Sequence, residues 1–182
     1  MMRLALAVPT LVALMLTDAS QAAERFTEPF GGDGGGQFIL RCPAGKSVTG
    51  VTALVGAYVN NIAPVCDGLK LKGAGGSGKR SDAICPMGSV VGAIGMRLLR
   101  SPNRLLKEVV LQCVPRGGGE TTASVQLHTA GAFTEGWDMF KGGTGPKDTS
   151  YPTKTSTCGS QRIVGLQGRA GDSVDALGLI CS

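Results

Sequence analysis

Short apolar stretches rich in β-branched residues recur along most of the chain, each bounded by turn residues. They cover 48–55, 59–65, 90–99, 105–111, 163–167 and 174–180. This length and composition are typical of β-strands. The pattern therefore predicts an all-β fold, with a short helix after Pro102 as the alternative for the stretch LLRSPNRLLKEVVLQ, since helix and strand are hard to separate in short apolar runs.

The first apolar stretch is of a different kind. It runs from Leu4 to Leu16 behind one early charge, Arg3, and is followed by small residues at Ser20 and Ala22. Such a run is too short to span a bilayer, and the small residues are typical of a signal-peptidase site. We expect a signal peptide over 1–22, cleaved after Ala22, and no membrane span thereafter; an uncleaved N-terminal anchor is the alternative.

A Gly-Gly-x-Gly element occurs three times, each time followed by a cysteine, a β-rich stretch and a second cysteine. Repeats of this kind govern the whole architecture of a chain. The mature chain, 23–182, is predicted to be one domain. Its parts are unit one over 31–66, unit two over 75–113, an insertion over 116–141 that carries Trp137, and unit three over 142–182.

Units one and three align without a gap over their second halves. The spacing from Gly50 to Gly56 equals that from Gly165 to Gly171, and Asn60 stands where unit three has an aspartate. Unit two is five residues longer between Gly92 and Cys113 than the other units are over the matching stretch, and the extra residues fall around the turn signal at 101–103.

Six cysteines lie in the predicted mature chain, and an even count after a signal peptide indicates three disulfides in an oxidising compartment. Six cysteines allow fifteen connectivities. One pair in each unit preserves the repeat symmetry, so we predict the pairs Cys42 with Cys66, Cys85 with Cys113, and Cys158 with Cys181. The chain has no CxxC pair and one histidine, so we expect no metal site and no cofactor.

The charge is modestly basic, at +5 with an isoelectric point near 9.0. Basic residues cluster over 70–80 and 97–107, which suits either a solvated face or a surface for anionic glycans or lipid headgroups. We expect no nucleic-acid partner. Neither GxSxG nor HExxH is present, and His128 lies in a strand-like run typical of a structural histidine, so we predict that the protein is not an enzyme.

The Gly-Gly starts, the three β-repeats, the phrase GAYVNNI and the closing GRAGDSVDALGL resemble the jacalin-related lectins. This resemblance implies a β-prism-like fold of three Greek-key units with pseudo-threefold symmetry. The chain departs from the family in its three cysteine pairs, and in having Ser173 and Val174 where an aromatic residue often packs on the sugar.

The resemblance also implies a carbohydrate site between two loops. Mannose-binding members hold the sugar between a glycine-rich N-terminal loop and a Gly-x-x-x-Asp loop. Those loops correspond here to Gly31 and Gly32, and to Gly171, Asp172, Ser173, Val174 and Asp175. Unit one offers a second, weaker site at Gly56 and Asn60.

Two functions remain open at the level of sequence. We expect a secreted or periplasmic carbohydrate-binding protein whose partner is a glycan. The alternative is a non-enzymatic interaction protein that binds a protein or an envelope component through the Trp137 insertion or the basic clusters. The loops also have plain structural interpretations, a hairpin turn for GDSVD and a flexible linker for GGDGGG, because turns and coils favour the same residues.

Overall fold

The computed structural model describes residues 23–99, 104–129 and 151–182, and these ranges form fourteen strands. The strands are β1 (Arg25–Phe26), β2 (Phe30–Gly31), β3 (Gly36–Arg41), β4 (Val48–Val55), β5 (Val59–Cys66), β6 (Leu69–Lys70), β7 (Ala74–Gly75), β8 (Lys79–Ile84), β9 (Ser89–Leu98), β10 (Leu106–Pro115), β11 (Ala123–Gln126), β12 (Thr153–Thr157), β13 (Ile163–Ala170) and β14 (Val174–Cys181). Among these residues no helix is long and apolar enough to cross a membrane.

The six strands predicted from the apolar stretches are confirmed. They are β4 and β5, β9 and β10, and β13 and β14, which form three antiparallel hairpins. The helical alternative after Pro102 is wrong for the described residues, because β10 continues from Leu106 to Pro115 in register with β9. The β-branched content that favoured a strand therefore decided the local structure.

Each hairpin is the centre of one sheet, and the all-β, three-unit prediction is confirmed. Sheet I is built on β4 and β5, sheet II on β9 and β10, and sheet III on β13 and β14. The short strands β6 and β7 pair with β5, β11 pairs with β10, and β1 and β2 pair with β14.

The remaining strands are exchanged between units. β8 of unit two pairs with β4 in sheet I, β12 of unit three pairs with β9 in sheet II, and β3 of unit one pairs with β13 in sheet III. Every unit thus contributes to two sheets, and β3 closes the ring between the first and the last unit.

The core lies between the three sheets. Its fully buried side chains are aliphatic for the most part, and they come from every hairpin: Val51 and Ile62 from sheet I, Ile94 and Leu111 from sheet II, and Leu166 and Leu179 from sheet III. Phe30 and Phe38 pack against this cluster from the N-terminal segment. The three sheets therefore share one hydrophobic core, which is the main stabilising term of such a fold.

The predicted disulfides are confirmed, since Cys42 bonds Cys66, Cys85 bonds Cys113 and Cys158 bonds Cys181. Because of the strand exchange, each bridge joins two different sheets. The first cysteine of each pair follows β3, β8 or β12, and the second lies at or near the end of β5, β10 or β14. The bridges link sheets III and I, I and II, and II and III around one end of the molecule, which we call the cysteine pole.

The turns of the three hairpins lie at the opposite end, which we call the loop pole. β14, for example, starts beside the hairpin turn at Val174 and ends at the cysteine pole with Cys181. Several predicted features fall outside the described residues: the signal peptide over 1–22, the turn at 101–103, the Trp137 part of the insertion, and the glycine element at 142–145.

Candidate functional site

A depression of about 480 Å³ opens at the loop pole beside sheet III. It is lined by Gly31, Gly32, Asp33, Gly34, Arg104, Leu105 and Asp175. Residues from the glycine-rich loop and from the Gly-x-x-x-Asp loop, about 140 positions apart in the chain, thus meet in one place. A larger groove of about 740 Å³ lies over sheet II toward the cysteine pole and contains none of the predicted site residues.

The glycine loop lies directly against the backbone of Asp175. β2 pairs with β14 so that Gly31 faces Ala176, and the Gly32 amide donates to the Asp175 carbonyl oxygen at 2.9 Å. A Cβ atom on Gly31 would lie 2.0 Å from that same oxygen, and one on Gly34 would lie 2.4 Å from Oδ1 of Asp175. Only residues without a side chain allow this approach.

Asp175 is a buried carboxyl, with 9% of its surface exposed. Burial raises its pKa above the ordinary aspartate value, while a hydrogen bond from the Gly171 backbone and the charge of Arg169 act in the opposite direction. Asp175 also lines the depression, and a hydrogen bond in such a partly dry setting is stronger than in bulk water.

Arg169 fixes the two loops relative to one another. Its Nε donates to the Gly34 carbonyl at 2.9 Å, and its Nη2 donates to the Gly35 carbonyl at 2.7 Å. The sequence analysis missed this residue. Its sequence position did not indicate this role, because Gly34 and Gly35 lie about 135 positions away in the chain.

The other residues of the Gly-x-x-x-Asp loop point in different directions. The Gly171 amide donates to the Ser173 carbonyl at 2.9 Å, which forms the turn, and Asp172 is exposed. Ser173 faces sheet I and not the depression. The Val174 side chain is fully buried in the core. Only the backbone of Val174 therefore belongs to the loop surface.

Sheet I carries a close geometric counterpart of this site at Gly56 and Asn60. The Gly56 amide donates to the Tyr58 carbonyl at 2.9 Å, and the Gly76 amide donates to the Asn60 carbonyl at 2.9 Å. A Cβ on Gly75 would lie 2.1 Å from the Asn60 carbonyl oxygen. The glycine loop of unit two thus packs against the Gly-x-x-x-Asn loop of unit one. The same strand exchange places β8 in sheet I.

The side chain of Asn60 is already engaged by its neighbours. Its Nδ2 donates to the Ser77 carbonyl at 2.7 Å, and its Oδ1 accepts from the Ser173 hydroxyl at 3.3 Å. One of the two N–H donors of the Asn60 amide and one of its acceptor positions are therefore already bonded within the protein, whereas Asp175 offers a carboxylate.

Unit two supplies a third wall to the depression beside Asp175. Arg104 and Leu105 lie just before β10, in the hairpin that the sequence makes five residues longer. Arg104 has a φ of 44°, in the left-handed region that non-glycine residues seldom adopt. The length of this hairpin was visible in the sequence, but the position of Arg104 and Leu105 beside Asp175 was not.

Within the described ranges, no three His, Cys, Asp or Glu side chains are grouped closely enough to hold a metal ion. The arrangement at the loop pole instead places a carboxyl group and a guanidinium around a shallow polar depression. These are groups that bind hydroxyls and anions.

Neither a protein-family model nor a curated protein matches this sequence. Solved structures do match. The wild-type Malaysian banana lectin aligns over 88% of this chain and 99% of its own, with a TM-score of 0.59 and 15% identity. The fold is a jacalin-type β-prism.

Two further lectins share the jacalin-type prism. Artocarpin, described as a lectin with mannose specificity, aligns over 89% of this chain and 99% of its own, with a TM-score of 0.58 and 12% identity. AcmJRL, a mannose-binding jacalin-related lectin from Ananas comosus, aligns over 87% and 96%, with a TM-score of 0.53 and 17% identity. At these identities the likeness establishes the jacalin-type prism and leaves the ligand to be argued from the site.

Proposed function

We propose that this protein is a carbohydrate-binding, lectin-like protein that binds without catalysis. In this proposal residues 1–22 are removed as a signal peptide and the single domain 23–182 works in a secreted or periplasmic setting. The three disulfides support an oxidising compartment. The observation that carries the proposal is the Asp175 carboxyl at the edge of the depression beneath the glycine loop.

A sugar presents neighbouring hydroxyls on a compact ring, and the depression provides complementary groups. The Asp175 carboxylate accepts charge-assisted hydrogen bonds from two adjacent hydroxyls. The glycine loop lets the ring approach the backbone because Gly32 and Gly34 have no side chains to exclude it. A volume of about 480 Å³ suits one or two sugar rings, since small-molecule sites begin near 300 Å³.

The solved lectins of the same fold support this proposal from a second direction. Artocarpin is described in complex with mannopentose and with mannotriose, and Calsepa lectin with a biantennary N-glycan. A fold alone does not specify a function. The proposal therefore rests on the Asp175 site, to which the fold adds a precedent for glycan binding.

The counterpart at Gly56 and Asn60 is proposed as a weaker site of the same kind. Its backbone geometry matches that beside Asp175, but the Asn60 amide is neutral and already bonded to Ser77 and Ser173. Hydrogen bonds to a neutral group are weaker than those to a carboxylate. We propose Asp175 as the principal site.

A glycan array with the oxidised chain 23–182 and its Asp175→Asn variant tests the proposal. The substitution keeps the size of the side chain and removes its charge, so we expect binding to fall at least tenfold because charge-assisted hydrogen bonds contribute about 1.5–3 kcal/mol. Glu120→Gln is the matched control, since it makes the same charge change at an exposed position outside the loop pole.

The control variant is expected to bind like the native protein, and both variants should keep the native circular dichroism spectrum. Glycan binding that survives Asp175→Asn unchanged would place the site elsewhere and contradict the proposal. Absence of binding to any glycan by the folded native chain would reject the lectin function itself.

A further inference from the structure

We infer that the depression selects saccharides that carry an anionic substituent, a carboxylate or a sulfate, and that Arg104 binds this group. The inference rests on the proposed function and adds the chemical class of the ligand. Asp175 accepts from the sugar hydroxyls, and Arg104, on the wall supplied by unit two, pairs with the anion.

Arg104 has the exposure and the freedom that this role needs. It is exposed at the rim of the depression, and within residues 23–99, 104–129 and 151–182 no ion pair or hydrogen bond engages its side chain. A guanidinium presents a planar fork of N–H donors that matches a carboxylate or sulfate. It lines the depression together with Asp175, so one ligand can contact both.

The backbone of Arg104 supports the same role. Its φ of 44° is an uncommon conformation for a residue with a side chain, and such backbone strain clusters at active sites and ligand-binding sites. Leu105, the next residue, anchors the segment because its carbonyl accepts from the Leu99 amide at 2.8 Å across the hairpin. Arg104 thus lies at the rim of the depression next to an anchored residue.

The other charges at the site decide where the anion lies. Arg169 is occupied by the carbonyls of Gly34 and Gly35, so it is held against the loop. Asp33, on the rim, and Asp175 both repel an anion that approaches them. The side of the depression formed by Arg104 is therefore where an anionic substituent gains energy, and the net charge of +5 attracts such ligands from a distance.

The test uses matched neutral, uronate and sulfated forms of several hexose oligosaccharides, first on an array and then by calorimetric titration of the best-bound set. The native protein is expected to bind at least one anionic form about tenfold more tightly than its neutral parent. Comparison of the uronate and sulfated forms identifies which anion is preferred.

Arg104→Ala is expected to remove this preference, because the loss of affinity should be about tenfold larger for the anionic form than for the neutral parent, while Arg104→Lys keeps part of it because the charge remains without the fork. Arg162→Ala is the control, since it removes the same charge from an exposed site near the C-terminus, away from the loop pole. It should preserve the preference.

The outcomes separate this inference from the function on which it rests. Equal or tighter binding of the neutral parents by the native protein, or an Arg104→Ala variant that keeps the anionic preference, overturns the inference and leaves the lectin function in place. Absence of binding to every form by the folded protein overturns both.

Discussion

At the scale of single residues, Asp175 is a position where burial and ionisation of the side chain are in tension. A carboxyl with 9% exposure is costly to ionise, and burial raises its pKa. The Gly171 amide and Arg169 offset part of that cost. Asp175 is therefore an acidic side chain in a partly dry setting, where a hydrogen bond to it is stronger than in bulk water.

This tension gives Asp175 a distinctive pH dependence. Its folded pKa lies above the unfolded value, so the proton is bound more tightly in the folded state and ionisation opposes folding. The stability contributed by the neutral form is complete below the unfolded pKa and is lost as pH rises through the folded pKa. The proposed sugar binding runs in the opposite sense, because the carboxylate accepts stronger hydrogen bonds from hydroxyls than the neutral acid does, and it should weaken as pH falls through the raised pKa.

Carbon NMR of the carboxyl groups across an acid titration measures the pKa values of Asp175 and of the other carboxyls in one sample. Asp175 should titrate above the ordinary aspartate value of 3.8. Asp82 provides the internal contrast, since hydrogen bonds from Lys70 and Thr52 lower its pKa to about 2. A midpoint for Asp175 at or below 3.8 would mean that the carboxyl is solvated and not buried under the glycine loop.

The residues of the site were predictable to different degrees. Gly31, Gly32 and Asp175 were predicted from the resemblance to jacalin-related lectins, which the Gly-Gly element and the closing Gly-x-x-x-Asp loop carry. Arg169 and Arg104 were not, because their roles depend on contacts across 135 positions in one case and on the direction of a longer hairpin in the other. Ser173 was grouped with the site by its neighbours in sequence, whereas its hydroxyl faces Asn60.

At the scale of elements, the hairpins and the strands that flank them differ in how they are specified. Each hairpin has β-branched strands of about eight to ten residues joined by a turn, and local pattern is enough to predict it. β3, β8 and β12 are shorter, and each pairs with the hairpin of another unit. Their partners are distant in sequence, so periodicity within a unit carries no information about the exchange.

The exchanged strand β3 depends on close packing at Gly165. A Cβ there would lie 2.4 Å from the Leu40 carbonyl oxygen and 3.1 Å from the Arg41 Cα, both backbone atoms of β3. We expect Gly165→Ala to destabilise the protein by about 1–3 kcal/mol, the usual cost of overpacking, because backbone cannot move aside as a side chain can. Urea unfolding of the oxidised protein measures the loss.

Gly36→Ala is the matched control, since it lies in β3 itself and its added Cβ would meet nothing within 4 Å. It should be neutral or stabilising by up to about 1 kcal/mol, because alanine has less conformational freedom to lose on folding. Equal losses for the two variants would show that the pairing of β3 with β13 does not require a glycine at position 165.

At the scale of the whole molecule, the candidate site and the disulfides lie at opposite poles. The loop pole carries the depression and its counterpart in sheet I, and its loops contact one another through the Ser173 and Asn60 side chains. The cysteine pole carries three bridges that join the sheets in a ring. The bridges therefore lie at the end of the molecule away from the depression.

The ring of bridges makes a quantitative prediction about stability. The bridges close loops of similar size, with sequence separations of 24, 28 and 23, so the chain-entropy estimate assigns about 3 kcal/mol to each. Replacing Cys85 and Cys113 together by serine should therefore cost about 3 kcal/mol in urea unfolding, and the same holds for either other pair. Since small domains are stable by about 5–15 kcal/mol, loss of one bridge should leave the protein folded, whereas loss of all three should bring it close to unfolding.

Glycan binding by the folded Cys85 and Cys113 double variant should match the native value, because sheets I and II are joined at the end opposite the depression. A variant that stays folded yet loses binding would show instead that the cysteine pole controls the geometry of the loop pole, and that the two ends are mechanically coupled through the shared core.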